Sequence, residues 1–122
     1  MITDTQLNLS DLDHRIADLR KKIDIQKLNE EKTRLELESG KPELWQDEDN
    51  AKKIMSGLSE IRDLISTIEN LSLELKNLKE LLEMATTSGD DTLDKDITIL
   101  KETLEKHIEK TELVTYLSGK YD

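Results

Sequence analysis

A corner between two long helical patterns constrains the fold of this chain more than any other feature. Residues 40–51 contain its only proline, Pro42, and its only tryptophan, Trp45. Proline cannot extend a helix from its N-terminal side, and Asp47 is a suitable N-cap for the helix that follows. The chain therefore turns here through a short segment opened by Pro42. We expect Leu44 and Trp45 to pack where the two helices meet, with Trp45 at least half buried.

Apolar residues at steps of three and four predict three helices, over residues 10–39, 48–87 and 92–118. Ser10 or Asp11 is the expected cap of the first helix. The apolar stripe of this helix consists of Leu9, Leu12, Ile16, Leu19 and Ile23, and then shifts to Ile25, Leu28 and Leu35. The shift indicates either a change of packing partner or a frayed stretch.

The other two helices are bounded by glycine and aspartate. We expect Gly40 to close the first helix and Gly89 the second in the left-handed conformation, and Asp90 or Asp91 to cap the third. The second stripe consists of Ile54, Leu58, Ile61, Ile65, Ile68, Leu71, Leu75, Leu78 and Leu82. The third consists of Leu93, Ile97, Leu100, Leu104 and Ile108, followed by Val114 and Leu117.

These stripes predict one all-α domain over residues 1–122, an elongated antiparallel three-helix bundle or coiled coil. At 1.5 Å per residue the second helix would be about 60 Å long, which is too long for a compact globule of this size. A hairpin of the second and third helices, with the first loosely attached, is the alternative. A thin core agrees with a chain that is 34% hydrophobic and contains no phenylalanine.

The charge of the chain limits its partners. The formal net charge is -10, which repels phosphate backbones and disfavours strong autonomous binding of nucleic acid. The exception would be a local basic patch formed by Arg15, Arg20, Lys21, Lys22 and Lys27. With no cysteine and no apolar run of membrane-spanning length, we expect a cytoplasmic protein that does not enter a membrane.

The sequence contains no pattern typical of catalysis or metal binding. His14 and His107 fit neither a metal-ligand spacing nor a Ser-His-Asp arrangement, so we interpret them as ordinary surface or seam residues. The acids at 47–49 and from Asp90 onward fail the EF-hand spacing, and helix capping explains them. We expect no enzyme activity and no catalytic, cofactor-binding or metal-binding residues.

Three segments carry a family resemblance. The corner at residues 42–53 reads PELWQDEDNAKK, residues 78–85 read LKELLEMA, and residues 117–122 read LSGKYD. In this order and spacing they resemble the N-terminal helical domain of the bacterial peptide chain release factor 2 family, a class I release factor family. The resemblance covers most of the chain from about Ile23 onward.

The resemblance implies a role in translation termination. As whole proteins, members of that family recognise UGA and UAA stop codons and promote peptidyl-tRNA hydrolysis on the ribosome through a Gly-Gly-Gln loop. This sequence contains neither that loop nor the Ser-Pro-Phe codon-recognition tripeptide. The resemblance therefore implies an N-terminal accessory domain, part of a longer factor, that contacts the stalk base of the large ribosomal subunit and is linked to the class II release-factor GTPase.

The residues alone allow a second interpretation, a self-contained coiled-coil scaffold or tether unrelated to translation. A gene that continues beyond Asp122 into a codon-reading domain would favour the first interpretation, and a stop codon there would favour the second. The exposed parts of the apolar stripes would also allow the isolated chain to self-associate.

Overall fold

The chain folds into α-helices joined by short turns. The computed structural model describes residues 2–89 and 91–118, and the side chains of residues 9–89 and 91–117. The helices are α1 (Ile2–Ile23), α2 (Ile25–Ser39), α3 (Glu48–Ser88) and α4 (Asp94–Ser118). Two 3-10 turns, Pro42–Gln46 and Asp91–Leu93, precede α3 and α4. The described ranges contain no strand, so the prediction of an all-α helical bundle is confirmed.

Helix α3 is the spine to which the other helices attach. It is 41 residues long, which corresponds to about 60 Å. Helix α2 packs along its first half, where Arg62 contacts Glu36 at 3.1 Å. Helices α1 and α4 pack along its second half, where Lys79 contacts Asp13 at 2.7 Å. Three helices therefore surround one core at this end, whereas α2 and α3 form a two-helix hairpin at the other.

Helices α1 and α4 run parallel to each other and antiparallel to α3. The guanidinium of Arg15 donates to Glu112, with 3.1 Å between Nε and Oε2. Two turns further along α1 and one turn further along α4, Lys22 Nζ donates to the hydroxyl of Tyr116 at 2.9 Å. The main core lies between these three helices, with Leu28 added from the start of α2. It consists of Leu9, Leu12, Ile16, Leu19, Ile23, Leu28, Ile68, Leu71, Leu75, Leu78, Leu82, Ala85, Ile97, Leu104 and Ile108.

The predicted first helix is divided in two at Asp24. Asp24 has φ 55° and ψ 72°, in the left-handed region, and its carboxylate accepts from the backbone N–H of Lys27 at 3.2 Å. In a continuous helix each residue advances about 100° around the helix axis, so five steps from Ile23 amount to about 500°. Leu28 would then lie about 140° around the axis from Ile23. The break turns Leu28 back towards α3, and α2 then leaves the three-helix core. The shifted stripe thus corresponds to a change of packing partner.

The predicted helix ends are confirmed at two positions. The carboxylate of Asp47 caps α3 by accepting from the backbone N–H of Asn50 at 3.2 Å. Gly89 ends α3 in the left-handed conformation, with φ 65°. Asp91 lies in the 3-10 turn before α4, which begins at Asp94, and Asp90 lies outside the described residues.

Two other predictions about helix ends need correction. Gly40 does follow the last residue of α2, Ser39, as predicted, but it is not left-handed. Gly40 has φ −84°, an ordinary right-handed value. The last turn of α2 is tighter than an α-helical turn, since the N–H of Gly40 donates to the carbonyl of Leu37, three residues earlier, at 3.2 Å. The right-handed 3-10 turn that begins at Pro42 follows. Ser10 and Asp11 cap nothing, since α1 already begins at Ile2.

The side of α4 that faces the core also differs from the prediction, at Leu100 and in the last turns. Leu100, Val114 and Leu117 are 46%, 57% and 83% exposed, while Thr111 and Thr115 are buried. The reason is angular: Val114 and Leu117 lie six and nine residues after Ile108, about 120° and 180° from it around the helix. Steps of three and four from Ile108 lead to the two threonines instead.

Candidate interaction surfaces

The corner between α2 and α3 exposes its tryptophan. Leu44 is 5% exposed and packs against α3, but Trp45 is 57% exposed, so the prediction that Trp45 is at least half buried is wrong. Adjacent residues of a 3-10 turn project about 120° apart, so only one member of the pair can face α3. Leu44 anchors the turn, and Trp45 is left on the surface.

Trp45 is part of a small apolar surface at the tip of the hairpin. Together with Ala51 and Met55 and the stems of Glu48 and Lys52, it lines a cavity of about 260 Å³. We call these five residues the tip patch. Four exposed acids lie close to it in sequence or within it: Glu43, Asp47, Glu48 and Asp49.

One lysine beside the tip is engaged in a local ion pair. Lys41 Nζ lies 2.9 Å from Glu38 Oε1, and this hydrogen bond raises the pKa of Lys41 and lowers the pKa of Glu38. Lys41 is thus paired within the end of α2 and the corner, and Lys52 is the cation that lines the tip patch itself.

The second candidate surface is a groove of about 550 Å³ between α3 and α4. Its lining comes from residues of α3 and α4 only: Leu64, Thr67, Asn70, Leu71, Leu73, Glu74, Asn77, His107, Lys110, Thr111, Val114 and Thr115. We call it the α3–α4 groove. Since no residue of α1 lines it, it lies outside the contact that α1 makes with the same two helices.

The walls of the α3–α4 groove are more apolar than their residue types suggest. The hydroxyl groups of Thr67, Thr111 and Thr115 each donate to the carbonyl four residues earlier, at 2.9, 2.8 and 2.8 Å. Hydroxyls held by their own helix leave the γ-methyl groups beside the leucines of the lining. Leu73 and Val114 complete the walls and are 53% and 57% exposed.

The charged groups of the α3–α4 groove are few. Its one carboxylate, Glu74, approaches His107 Nδ1 with its two oxygens at 2.8 and 3.1 Å. Lys110 makes no ion pair with the described residues. The groove is thus poor in acid on a chain that contains 28 acidic residues.

The candidate basic patch is largely occupied by contacts within the bundle. Arg15 pairs with Glu112, and Arg20 with Glu69 at 2.9 Å. Hydrogen bonds from Lys22 to the Tyr116 hydroxyl and to Asp18 raise the pKa of Lys22, and its ammonium lies 4.8 Å from the ring centroid of Tyr116. These cations join α1 to α3 and α4. Lys21 and Lys27 lie on the exposed surface.

The histidines are placed as surface and seam residues. His14 is exposed on α1, and His107 lies between α4 and α3. Within the described ranges, no group of three or more His, Cys, Asp and Glu residues is arranged to hold a metal ion. The same residues include no helix that is long and apolar enough to span a membrane.

The fold and these two surfaces define an all-α bundle domain with exposed apolar sites. The family model of the PCRF domain matches residues 28–122. The chain belongs to the PCRF domain family, and the resemblance drawn from the corner and the two later segments is confirmed.

Relatives match almost the whole chain. Peptide chain release factor 2 of Acidothermus cellulolyticus is 32% identical over 119 residues, which are 98% of this chain and 32% of that protein. The proteins of the same name from Salinispora tropica and Mycolicibacterium smegmatis are 33% and 32% identical over 93% and 100% of this chain. The chain spans about a third of the length of these relatives, since the alignments cover 31% and 33% of the latter two.

Proposed function

We propose that this chain acts as the N-terminal accessory domain of a cytoplasmic translation termination factor. The observation that carries the proposal is the PCRF match over residues 28–122, together with relatives named peptide chain release factor 2 that align over the whole chain. In this proposal the domain contacts the ribosome at the stalk base of the large subunit and is linked to the class II release-factor GTPase.

Contact rather than catalysis is the proposed role. The sequence has no Gly-Gly-Gln loop and no Ser-Pro-Phe tripeptide, which in the proposal belong to other parts of the termination factor. Recognition of UGA and UAA and hydrolysis of peptidyl-tRNA would reside there, and this domain would seat the factor on the ribosome. The net charge of -10 favours a local contact with ribosomal protein over a broad contact with RNA.

A binding and release experiment tests the proposal. We expect the fluorescently labelled chain to bind 70S ribosomes weakly and to be displaced by a full-length peptide chain release factor 2. We also expect it to release no peptide from ribosomes programmed with UGA at any concentration. If the chain shows no binding that the full-length factor can displace, the proposal is wrong and the scaffold interpretation is favoured.

A chimera tests the link to the GTPase. This chain would replace the aligned third of the Mycolicibacterium smegmatis relative, and a second variant would lack that third altogether. We expect both to retain measurable hydrolysis at UGA, and only the chimera to keep the affinity for ribosomes and the stimulation by the GTPase. Equal behaviour of the intact, chimeric and shortened factors would contradict an accessory contact.

A further inference from the structure

Helix α4 carries apolar residues outside its core-facing stripe, and the described residues leave some of them exposed. Ile97, Leu104 and Ile108 face the core. Leu100 and Val114 remain exposed on this helix, and Val114 lines the α3–α4 groove. Contiguous exposed apolar surface marks interaction sites.

The α3–α4 groove has the dimensions of a helix-binding site. Its α3 wall runs from Leu64 to Asn77, and 13 steps at 1.5 Å amount to about 20 Å, or three to four helical turns. Leu73 stands on one wall and Val114 on the other, with threonine methyl groups and Leu71 between them. A helix laid between these walls would bury a stripe of residues spaced three and four apart.

We propose that the α3–α4 groove binds an amphipathic helix of a partner protein that carries carboxylates along one flank. Lys110 stands at the rim without an ion-pair partner among the described residues, and the only carboxylate of the lining is held by His107. An acidic flank would meet Lys110, while the one carboxylate of the lining, Glu74, is hydrogen-bonded to His107. A basic flank would lie near the rim cation and lose this complementarity.

Two other occupants fit the groove less well. A second copy docked through the same groove would bring two chains of net charge -10 together and place two copies of the same Lys110 rim near each other. RNA would find a single unpaired lysine and apolar walls where it needs several cations. A partner helix with an acidic flank matches both the apolar walls and the rim. The proposal does not depend on a role in translation.

Binding of synthetic helices tests this proposal. The probes are two labelled peptides of roughly 14 residues with the same leucine stripe, one with Glu and one with Lys on its flank. We expect the Glu peptide to bind the whole chain at least tenfold more tightly by fluorescence anisotropy. Amide shifts in the 15N-labelled chain should concentrate at residues 64–77 and 107–115. Absence of binding, or shifts mainly elsewhere, would overturn the proposal.

Three variants distinguish the groove from non-specific adhesion. Val114→Glu should abolish binding of the Glu peptide, whereas Met84→Glu, which changes an equally exposed apolar residue near the end of α3, should leave it unchanged. Lys110→Glu should reverse the preference in favour of the Lys peptide. Circular dichroism confirms that each variant is folded. Equal loss in the Met84 variant, or no reversal in the Lys110 variant, rejects the site.

A dimer and RNA binding are measured in parallel. Light scattering on the eluting chain reports its mass, and a labelled single-stranded RNA replaces the peptide in the anisotropy assay. Dimerisation that Val114→Glu abolishes would assign the groove to a second copy, and RNA binding lost in the same variant would assign it to RNA. Either result overturns the proposal.

Discussion

Asp24 determines how the two N-terminal helices share the surface of α3. Its left-handed backbone rotates the stripe of α2 relative to that of α1, and its carboxylate caps α2 at the same time. Left-handed conformation costs an ordinary L-residue about 1 kcal/mol, and aspartate and asparagine tolerate it best. One residue therefore supplies both the turn and the cap.

Replacing Asp24 should separate these two contributions. We expect Asp24→Ala to lower the free energy of unfolding by about 1–2 kcal/mol, because alanine loses the cap and tolerates the left-handed backbone poorly. Asp24→Asn keeps a capping oxygen and the backbone preference, so it should change stability by less than about 0.5 kcal/mol. Urea unfolding followed by circular dichroism measures both. Equal stability of the two variants would mean that Asp24 has no special role.

At the scale of elements, α3 involves two glycines with different roles. The helix does not need a glycine at position 57, whereas the left-handed position that ends it, Gly89, does favour glycine. A Cβ added to Gly57 would lie 3.6 Å from Leu35 Cδ1, an ordinary van der Waals contact, and Gly57 lies inside the helix. Gly89 has open space around it but a φ of +65°. Alanine suits the first backbone and strains the second.

The same substitution should therefore have opposite effects at the two positions. Gly57→Ala should raise the free energy of unfolding by about 0.5–1 kcal/mol, because alanine restricts the unfolded chain and favours the helix. Gly89→Ala should lower it by about 1 kcal/mol, because the residue must stay left-handed. Thermal and urea unfolding of the two single variants provide the measurement. A loss of stability in Gly57→Ala would show that the contact with Leu35 is tighter than its distance indicates.

Hydrophobic spacing predicts the elements well and their surfaces poorly. The range of α3 and the caps at Asp47 and Gly89 follow from period and local chemistry, which act within one helix. Which of two adjacent apolar residues faces inward depends on a tertiary contact, so spacing alone could not assign Leu44 to the core and Trp45 to the surface.

Hydrophobic spacing does not predict the α3–α4 groove, for a related reason. Thr111 and Thr115 complete the α4 seam although threonine is counted as polar, because their hydroxyls bond to their own helix. A count of apolar residues omits these threonines and assigns Val114 and Leu117 to the core instead. The steps of three and four from Ile108 were the signal that could have found the threonines.

At the scale of the whole molecule, the two ends of α3 differ in how much covers them. Residues 68–82 of α3 contribute Ile68, Leu71, Leu75, Leu78 and Leu82 to a core shared by three helices. The first part of α3 contributes Ala51 and Leu58 to packing against α2 and the corner. Local opening is least costly where fewer buried contacts are lost, so the hairpin is the end that should open first.

Hydrogen exchange should show this difference directly. We expect backbone amides in 68–82 to exchange at least about tenfold more slowly than those in 51–61, because opening the three-helix core breaks more apolar contacts. Leu12→Ala, which removes a buried side chain of α1 at a cost of about 2–5 kcal/mol, should speed exchange in 68–82 and in α4 more than in 51–61. Mass spectrometry of peptides from the two regions provides the measurement. If both regions exchange at one rate and respond equally to Leu12→Ala, α3 opens as a single cooperative unit, and the hairpin tip that carries Trp45 is as firmly held as the bundle.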